Sequence, residues 1–88
     1  MQILGIQVEA IDRIRLLSDV TRVLSDHHVN IMSATVATGR DRVATLRFTF
    51  ELADISHLAH VRSTVKKVEG VYDAFRVVPQ AGNGTGDR

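Results

Sequence analysis

The apolar residues of this chain repeat with two different periods, and the points where the period changes divide the sequence into strands and helices. Residues 3–10, "ILGIQVEA", place Leu4, Ile6 and Val8 on one side, which is the period of two of a half-buried strand. From Leu16 onward the apolar positions follow helical spacing, and this pattern predicts a helix that runs roughly to His28. The chain therefore begins with a strand and an amphipathic helix.

A hairpin and a second helix follow. Residues 29–38 are rich in β-branched side chains, "GRD" at 39–41 is typical of a turn, and residues 42–52 alternate again. We predict that Asp54 caps a second helix, that Gly70 ends it, and that a last strand follows. The order β-α-β-β-α-β with right-handed crossovers predicts a ferredoxin-like α+β sandwich, in which a four-stranded antiparallel sheet carries both helices on one face.

The pattern indicates one domain, at residues 1–78. The remaining segment begins with Pro79 and continues as "QAGNGTGDR", which has three glycines and almost nothing apolar. Such a segment cannot offset the entropy of ordering itself, so we predict that the tail at 79–88 is disordered.

Composition excludes several kinds of protein. The 88 residues include no cysteine, so disulfides and thiolate zinc sites cannot hold the fold together, and a reducing cytoplasm is compatible with the sequence. The longest apolar runs are well short of the roughly 20 residues that span a bilayer, so we expect a soluble protein with no membrane partner. Eleven basic residues against ten acidic ones give a net charge of +1, which by itself does not indicate nucleic acid.

The sequence gives no basis for catalysis or for a metal. No serine or threonine lies on a glycine-flanked elbow, and no phosphate-binding glycine loop precedes a helix, so we expect no catalytic residue and no cofactor. His57 with His60, or His27 with His28, could share a metal ion. Two neutral ligands without a third make a weak site, and we therefore interpret all four as ordinary surface histidines.

RNA binding is an alternative, because the RNA-recognition motif has the same order of elements and stacks bases on aromatic residues of its central strands. Here Phe48 and Phe50 fall on the predicted core face and the first strand has no aromatic residue, so that stacking surface is missing. Contact with phosphates stays open through four arginines that could cluster on the hairpin and the open sheet face: Arg40, Arg42, Arg47 and Arg76. A solvated charged face is the simpler interpretation.

The corner between the first strand and the first helix is a second candidate site. A short turn at this point leaves backbone N–H groups free at the helix N-terminus, where a carboxylate or phosphate could bind. Asp12 could cap the helix or accept the ammonium group of an amino acid, and Asn30 offers both a donor and an acceptor. Ordinary capping at Asp12 and local backbone bonding at Asn30 are the alternative that these residues alone favour.

Three stretches together carry a resemblance to a known family. "EAIDRIRLLSDVTRVLSDHHVNIMSATV", "DRVATLRFTFEL" and "VEGVYDAFRV" resemble the ACT domain, and more narrowly the C-terminal ACT domain of the long RelA/SpoT alarmone synthetase/hydrolases of actinobacteria. The resemblance covers about residues 2–78. It implies a non-catalytic regulatory domain of a larger enzyme, a GTP pyrophosphokinase that makes and hydrolyses (p)ppGpp in the stringent response.

The resemblance also implies a ligand, usually an amino acid and in some alarmone enzymes a branched-chain one such as valine, often bound at a dimer interface. The positions that match the family's loop and strand motifs are Asp12, Arg13, Ile14, Arg15, Leu16, Leu17, Asn30 and Ile31. Most ACT domains have glycine where this chain has Arg15, a side chain that could fill the pocket or clamp a carboxylate.

A further implication of the resemblance is contact with ribosomal RNA, for which the basic side of the second helix adds Arg62 and Lys66 to the arginines above. Three roles therefore remain open: an amino-acid sensor, an RNA-contact module, and a pure dimerisation module. We expect a homodimer that also contacts other domains of its parent enzyme.

Overall fold

The computed structural model describes residues 2–79, and its elements follow the predicted order. They are β1 (Gln2–Ile11), α1 (Leu16–Asp26), β2 (Asn30–Thr38), β3 (Val43–Leu52), a 3₁₀ turn (Ile55–His57), α2 (Leu58–Lys66) and β4 (Val71–Val77). Most lie within a few residues of their predictions. The predicted second helix from Asp54 to Gly70 differs, because Asp54 caps the 3₁₀ turn and α2 ends at Lys66, four residues before Gly70. α1 ends two residues before His28, because His28 adopts a left-handed conformation with φ of 60°.

The four strands form one antiparallel sheet in the order β2-β3-β1-β4. β1 pairs with β3 along its whole length, from Gln2 opposite Leu52 to Ile11 opposite Val43. This topology brings the β1–α1 loop, the β2–β3 hairpin and the α2–β4 turn to one end of the sheet. The predicted ferredoxin-like sandwich is confirmed.

The core lies between the sheet and the two helices. Phe48 and Phe50 are fully buried on the helix-facing side of β3, as the alternation of that strand predicts. They pack among buried aliphatic side chains of β1 and of both helices, such as Ile6, Leu24 and Val65. The outer strand β2 is different, because almost all of its residues are exposed.

Two expectations concern the ends and partners of the chain. The predicted disordered tail lies almost wholly in residues 80–88, outside the described part of the chain. Within residues 2–79, neither helix has the length and the apolar character that crossing a bilayer requires.

Candidate ligand site at the β1–α1 corner

The loop that follows β1 is held by the two neighbouring turns. The backbone N–H of Ile11 donates to the Gly70 carbonyl at 2.9 Å, and that of Asp12 donates to the Arg42 carbonyl at 2.8 Å. The loop therefore leaves the sheet from a fixed position before it turns into α1.

The start of α1 is unusual. Its N-cap residue is Arg15, which adopts a left-handed conformation with φ of 72° and ψ of 9°, and no side chain of the described residues caps the helix. Asp12 is therefore not the cap, since α1 begins four residues later, at Leu16. A left-handed conformation costs a non-glycine residue about 1 kcal/mol or more, so backbone strain is located at this corner.

The uncapped first turn leaves backbone donors free. The Leu16 N–H donates to the Arg13 carbonyl at 3.2 Å, and the Asp19 N–H donates to the Arg15 carbonyl at 2.9 Å. Leu17 and Ser18 lie between these two residues, and their N–H groups have no hydrogen-bond acceptor within residues 2–79. Two donors at the positive end of a helix dipole favour an anionic group.

A cavity of about 450 Å³ opens beside this turn. Its walls combine apolar side chains of three elements with polar groups of the loop and of the first turn of α1: Leu16, Leu17, Val36 and Leu46, and Asp12, Arg13, Arg15 and Ser18. Its volume is within the usual range for small-ligand sites. An apolar wall beside the Asp12 carboxylate and the Arg15 guanidinium suits a zwitterion with an apolar side chain.

The guanidinium of Arg13 is already occupied. Its Nε donates to the Glu69 carbonyl, its Nη1 to the Ile14 carbonyl and its Nη2 to an Asp19 carboxylate oxygen, each at 2.9 Å. The hydrogen bond from Arg13 is the main cause that lowers the pKa of Asp19, with the Arg13 and Arg22 charges adding to it. Arg15 makes no side-chain hydrogen bond or ion pair within residues 2–79 and is therefore the loop arginine available to a ligand.

The structure brings five of the eight predicted ligand residues together at this cavity: Asp12, Arg13, Arg15, Leu16 and Leu17. Ile14 lies at the loop tip and is 87% exposed. Asn30 and Ile31 lie at the opposite end of β2, where the Asn30 side chain donates to Glu51 at 2.8 Å.

Sequence reasoning missed Val36 and Leu46, which complete the apolar wall. These residues face each other across the β2–β3 pairing, on the side of the sheet that carries the helices. The signal that could have found them is the hairpin turn, since counting outward from Arg40 in steps of two reaches both Val36 and Leu46.

The predicted arginine cluster is not formed as expected. Arg76 lies opposite Ile6 of β1 and therefore on the helix-facing side, whereas Arg47 lies opposite Gln7 on the open side and donates to its side chain at 2.6 Å. The period of two along each strand did not fix the register between β1 and β4. Of the other basic candidates, Arg40 and Arg42 lie in the turn between β2 and β3, whereas Arg62 and Lys66 lie on α2 and contact β4 at Ala74 and Asp73.

The histidines pair across the helices rather than along the sequence. The rings of His27 and His60 meet edge to face with their centroids 4.9 Å apart. Within residues 2–79, no group of three or more His, Cys, Asp or Glu side chains is arranged to hold a metal ion.

Comparison with known proteins gives consistent results. Residues 1–76 match the family model for the ACT domain. The chain is 69% identical over 77 residues to a GTP pyrophosphokinase of Streptomyces antibioticus, covering 88% of this chain and 9% of that protein. It is 60% identical over 79 residues to the bifunctional (p)ppGpp synthase/hydrolase RelA of Mycobacterium tuberculosis, covering 90% of this chain and 11% of that protein. The chain thus spans about a tenth of these curated relatives.

A solved structure has the same fold. The ACT domain from GTP pyrophosphokinase of Chlorobium tepidum superposes with a TM-score of 0.74 at 21% identity, and the match covers 85% of this chain and 96% of that one. The order of strands, the helices on one sheet face and the family match over residues 1–76 agree with one another. The chain therefore belongs to the ACT domain family of regulatory modules.

Proposed function

We propose that this chain is the regulatory ACT domain of a cytoplasmic (p)ppGpp synthetase/hydrolase and that it senses a branched-chain amino acid, such as valine, at the β1–α1 corner. The observation that carries the proposal is the apolar cavity beside an uncapped helix start. A ligand that binds one arrangement of the parent enzyme more tightly would shift its balance between synthesis and hydrolysis of (p)ppGpp.

Each part of an α-amino acid has a complementary group in the cavity. The carboxylate would accept hydrogen bonds from the Leu17 and Ser18 N–H groups and from the Arg15 guanidinium. The ammonium group would pair with the Asp12 carboxylate. A short branched side chain would then pack against Val36 and the other apolar walls, where burial favours it by about 25 cal/mol per Å².

The edge strand β2 supports a homodimer as the ligand-binding form. β2 is an outer strand whose residues are almost all exposed, among them Met32 and Val36, which are 53% and 47% exposed. Unpaired strand edges pair readily with a second chain. Antiparallel pairing of two β2 strands would bring Asn30 of a second copy beside the cavity-lining end of the first, and thereby reunite the two halves of the predicted site.

The sensor proposal is tested by calorimetric titration of the domain with valine and, as a control, lysine. We expect saturable binding of valine that is weakened at least tenfold by Asp12→Ala and by Arg15→Ala. Asp26→Ala is the matched control, because it removes a carboxylate from the far end of α1 and should leave binding unchanged. Absence of binding at millimolar valine, or equal loss in all three variants, would contradict the proposal.

The dimer is tested by sedimentation velocity over a range of concentrations, with and without valine. Because the proposed site needs residues of both copies, we expect valine to shift the equilibrium toward the dimer. A monomer at high concentration in the presence of saturating valine would contradict the shared site. A dimer that ignores valine would leave assembly as the role of this domain.

Contact with ribosomal RNA is the second candidate function. The observation that favours it is the composition of α2, which carries Arg62 and Lys66 and no acidic residue. Phosphate contacts of this kind weaken steeply as salt rises. Binding of a ribosomal RNA fragment should therefore fall with ionic strength and with Arg62→Glu, whereas Arg47→Glu, on the opposite sheet face, should have a smaller effect.

A further inference from the structure

We infer that Arg13 is a positioning residue, a latch that ties the β1–α1 corner to the α2–β4 turn so that the two segments move as one unit. This inference goes beyond ligand sensing. It depends on the proposed function only in treating the β1–α1 corner as a binding site, and its test needs no ligand.

Arg13 donates hydrogen bonds to acceptors in three separate segments of the chain. Its three bonds end on the carbonyl of Glu69, the carbonyl of Ile14 and the carboxylate of Asp19, which belong to the turn, the loop and α1 respectively. The bond to Glu69 joins residues 56 positions apart in the sequence. A guanidinium is a planar fork, so three bonds in fixed directions hold these segments in one geometry.

The backbone of the α2–β4 turn allows Arg13 and Ile11 to approach it closely. Gly70 has φ of +90°, and a Cβ atom there would lie 2.8 Å from Cγ2 of Ile11 and 3.4 Å from Nε of Arg13. The carbonyls of Glu69 and Gly70 accept from Arg13 and from the Ile11 backbone respectively. Two consecutive carbonyls of the turn are thus taken by the corner, at a distance that only glycine permits.

Arg13 lies between two depressions of the surface. It lines the corner cavity and also a separate groove of about 300 Å³ between α1 and α2, beside Val23 and Val68. Because one side chain is a wall of both, any movement of Arg13 in the corner also changes the groove. The groove is therefore the surface whose shape would change if a ligand in the corner moved Arg13.

The test is amide hydrogen exchange of the 88-residue chain, measured by NMR without ligand, for wild type, Arg13→Ala and Arg13→Lys. In Arg13→Ala we expect exchange to rise about tenfold or more both at Leu16 in the corner and at Ile11 and Val71 beside the turn, because two or three hydrogen bonds are lost. Arg13→Lys keeps the charge beside Asp19 but not the fork, so it should restore protection only partly.

Glu69→Ala is the matched control. Arg13 uses only the backbone carbonyl of Glu69, so removal of the Glu69 side chain should leave exchange unchanged. A rise confined to residues 12–16 in Arg13→Ala, with Ile11 and Val71 unchanged, would overturn the latch. So would equal rises in Glu69→Ala and Arg13→Ala, or full rescue by lysine.

A spectroscopic arm separates a latch from a merely structural residue, and it also serves if Arg13→Ala does not fold. In wild type and Glu69→Ala, the Gly70 amide signal should follow the titration of the Asp19 carboxyl, since Arg13 contacts both segments. In Arg13→Lys this response should shrink at least twofold. An undiminished response in Arg13→Lys would overturn the inference.

Discussion

The segments that lead into the two helices of this domain differ, although neither α-helix has a side-chain cap at its own N-cap residue, Arg15 or His57. The segment leading into α2 starts with Asp54 in an extended conformation, and its carboxylate accepts the Ser56 N–H at 3.0 Å and the Ser56 hydroxyl at 2.8 Å. α1 starts with Arg15 in a left-handed conformation and has no side-chain cap among the described residues. One start satisfies its own backbone within three residues, whereas the other leaves donors open.

The β1–α1 corner lacks two stabilising features, a local side-chain cap and a glycine at its left-handed position. A local cap would occupy the N–H groups that a ligand carboxylate needs, and a glycine in place of Arg15 would relieve the strain. The α1 start is held instead by a contact from Arg13 to the α2–β4 turn, 56 positions away. Strain and open donors at one corner, beside a cavity, are the combination expected of a binding site rather than of a well-capped helix.

The largest expected effect tests the long-range support of α1. Gly70→Ala forces a side chain into a backbone conformation with φ of +90° and into contact with Ile11. We expect the free energy of unfolding to fall by about 2 kcal/mol or more, measured by urea denaturation.

Gly39→Ala is the control for this prediction. Its Cβ would come close to the end of the Asp41 side chain, at 2.8 Å, and would only touch the Val43 carbonyl at 3.9 Å, so the loss should stay below about 1 kcal/mol. Equal losses at the two glycines would contradict the dependence of the corner on the α2–β4 turn.

The second prediction compares the two aspartates that precede the helices. Asp54→Ala removes a cap and should lower the free energy of unfolding by about 1 kcal/mol. Asp12→Ala removes no capping bond and should change it by less than about 0.5 kcal/mol. The measurement is thermal or urea unfolding of both variants, and similar costs for the two would erase the contrast between the helix starts.

The third prediction concerns the strained cap. Arg15→Gly should raise the free energy of unfolding by about 0.5–1 kcal/mol, because glycine adopts the left-handed conformation without a steric penalty. Arg22→Gly, within α1, should instead lower it by about 1 kcal/mol. If Arg15→Gly also destabilises the fold, the corner holds no strain.

The smallest effect is in the acid range. Hydrogen bonds lower the pKa of Asp19, through Arg13, and of Asp54, through the N–H and hydroxyl of Ser56. As pH falls, the carboxyl groups of the unfolded chain take up protons before those of the folded chain do. Each carboxylate therefore stabilises the fold fully above its usual pKa of 3.8, and this contribution is lost as pH falls through the lower pKa of the folded state.

Carboxyl NMR titration of Arg13→Ala tests the origin of each shift. The pKa of Asp19 should rise toward its usual value, whereas that of Asp54 should not move, since Ser56 and His57, and not Arg13, lower it. A parallel rise at both carboxyls would indicate a global change of the fold rather than a local contact.

The same contrast separates what the sequence could predict from what it could not. The strands, the helices and the buried side of β3 follow from local periods and local chemistry, and the structure confirms them. The predicted capping by Asp54 occurs at the 3₁₀ turn that leads into α2 rather than at α2 itself. The sequence predicts Asn30 beside Asp12, because the two residues flank α1 along the chain. α1 has 11 residues, and at 1.5 Å per residue it carries the chain about 16 Å away, to the other end of the sheet.

The contacts of Arg13 and the two faces of Arg47 and Arg76 were out of reach for a related reason. They depend on the register between strands and on the meeting of distant turns, and no local period records either of these. Sequence reasoning was therefore accurate within elements and incomplete between them, and the candidate site lies between elements.

The most direct test of the account is a valine titration of the ¹⁵N-labelled domain, which compares the amides at the two helix starts. We predict saturable shifts at Leu17 and Ser18, whose N–H groups are open, and none at Ser56, whose N–H is held by Asp54. Equal small shifts at all three amides, or no shift at millimolar valine, would contradict the claim that the uncapped start of α1 is a ligand site.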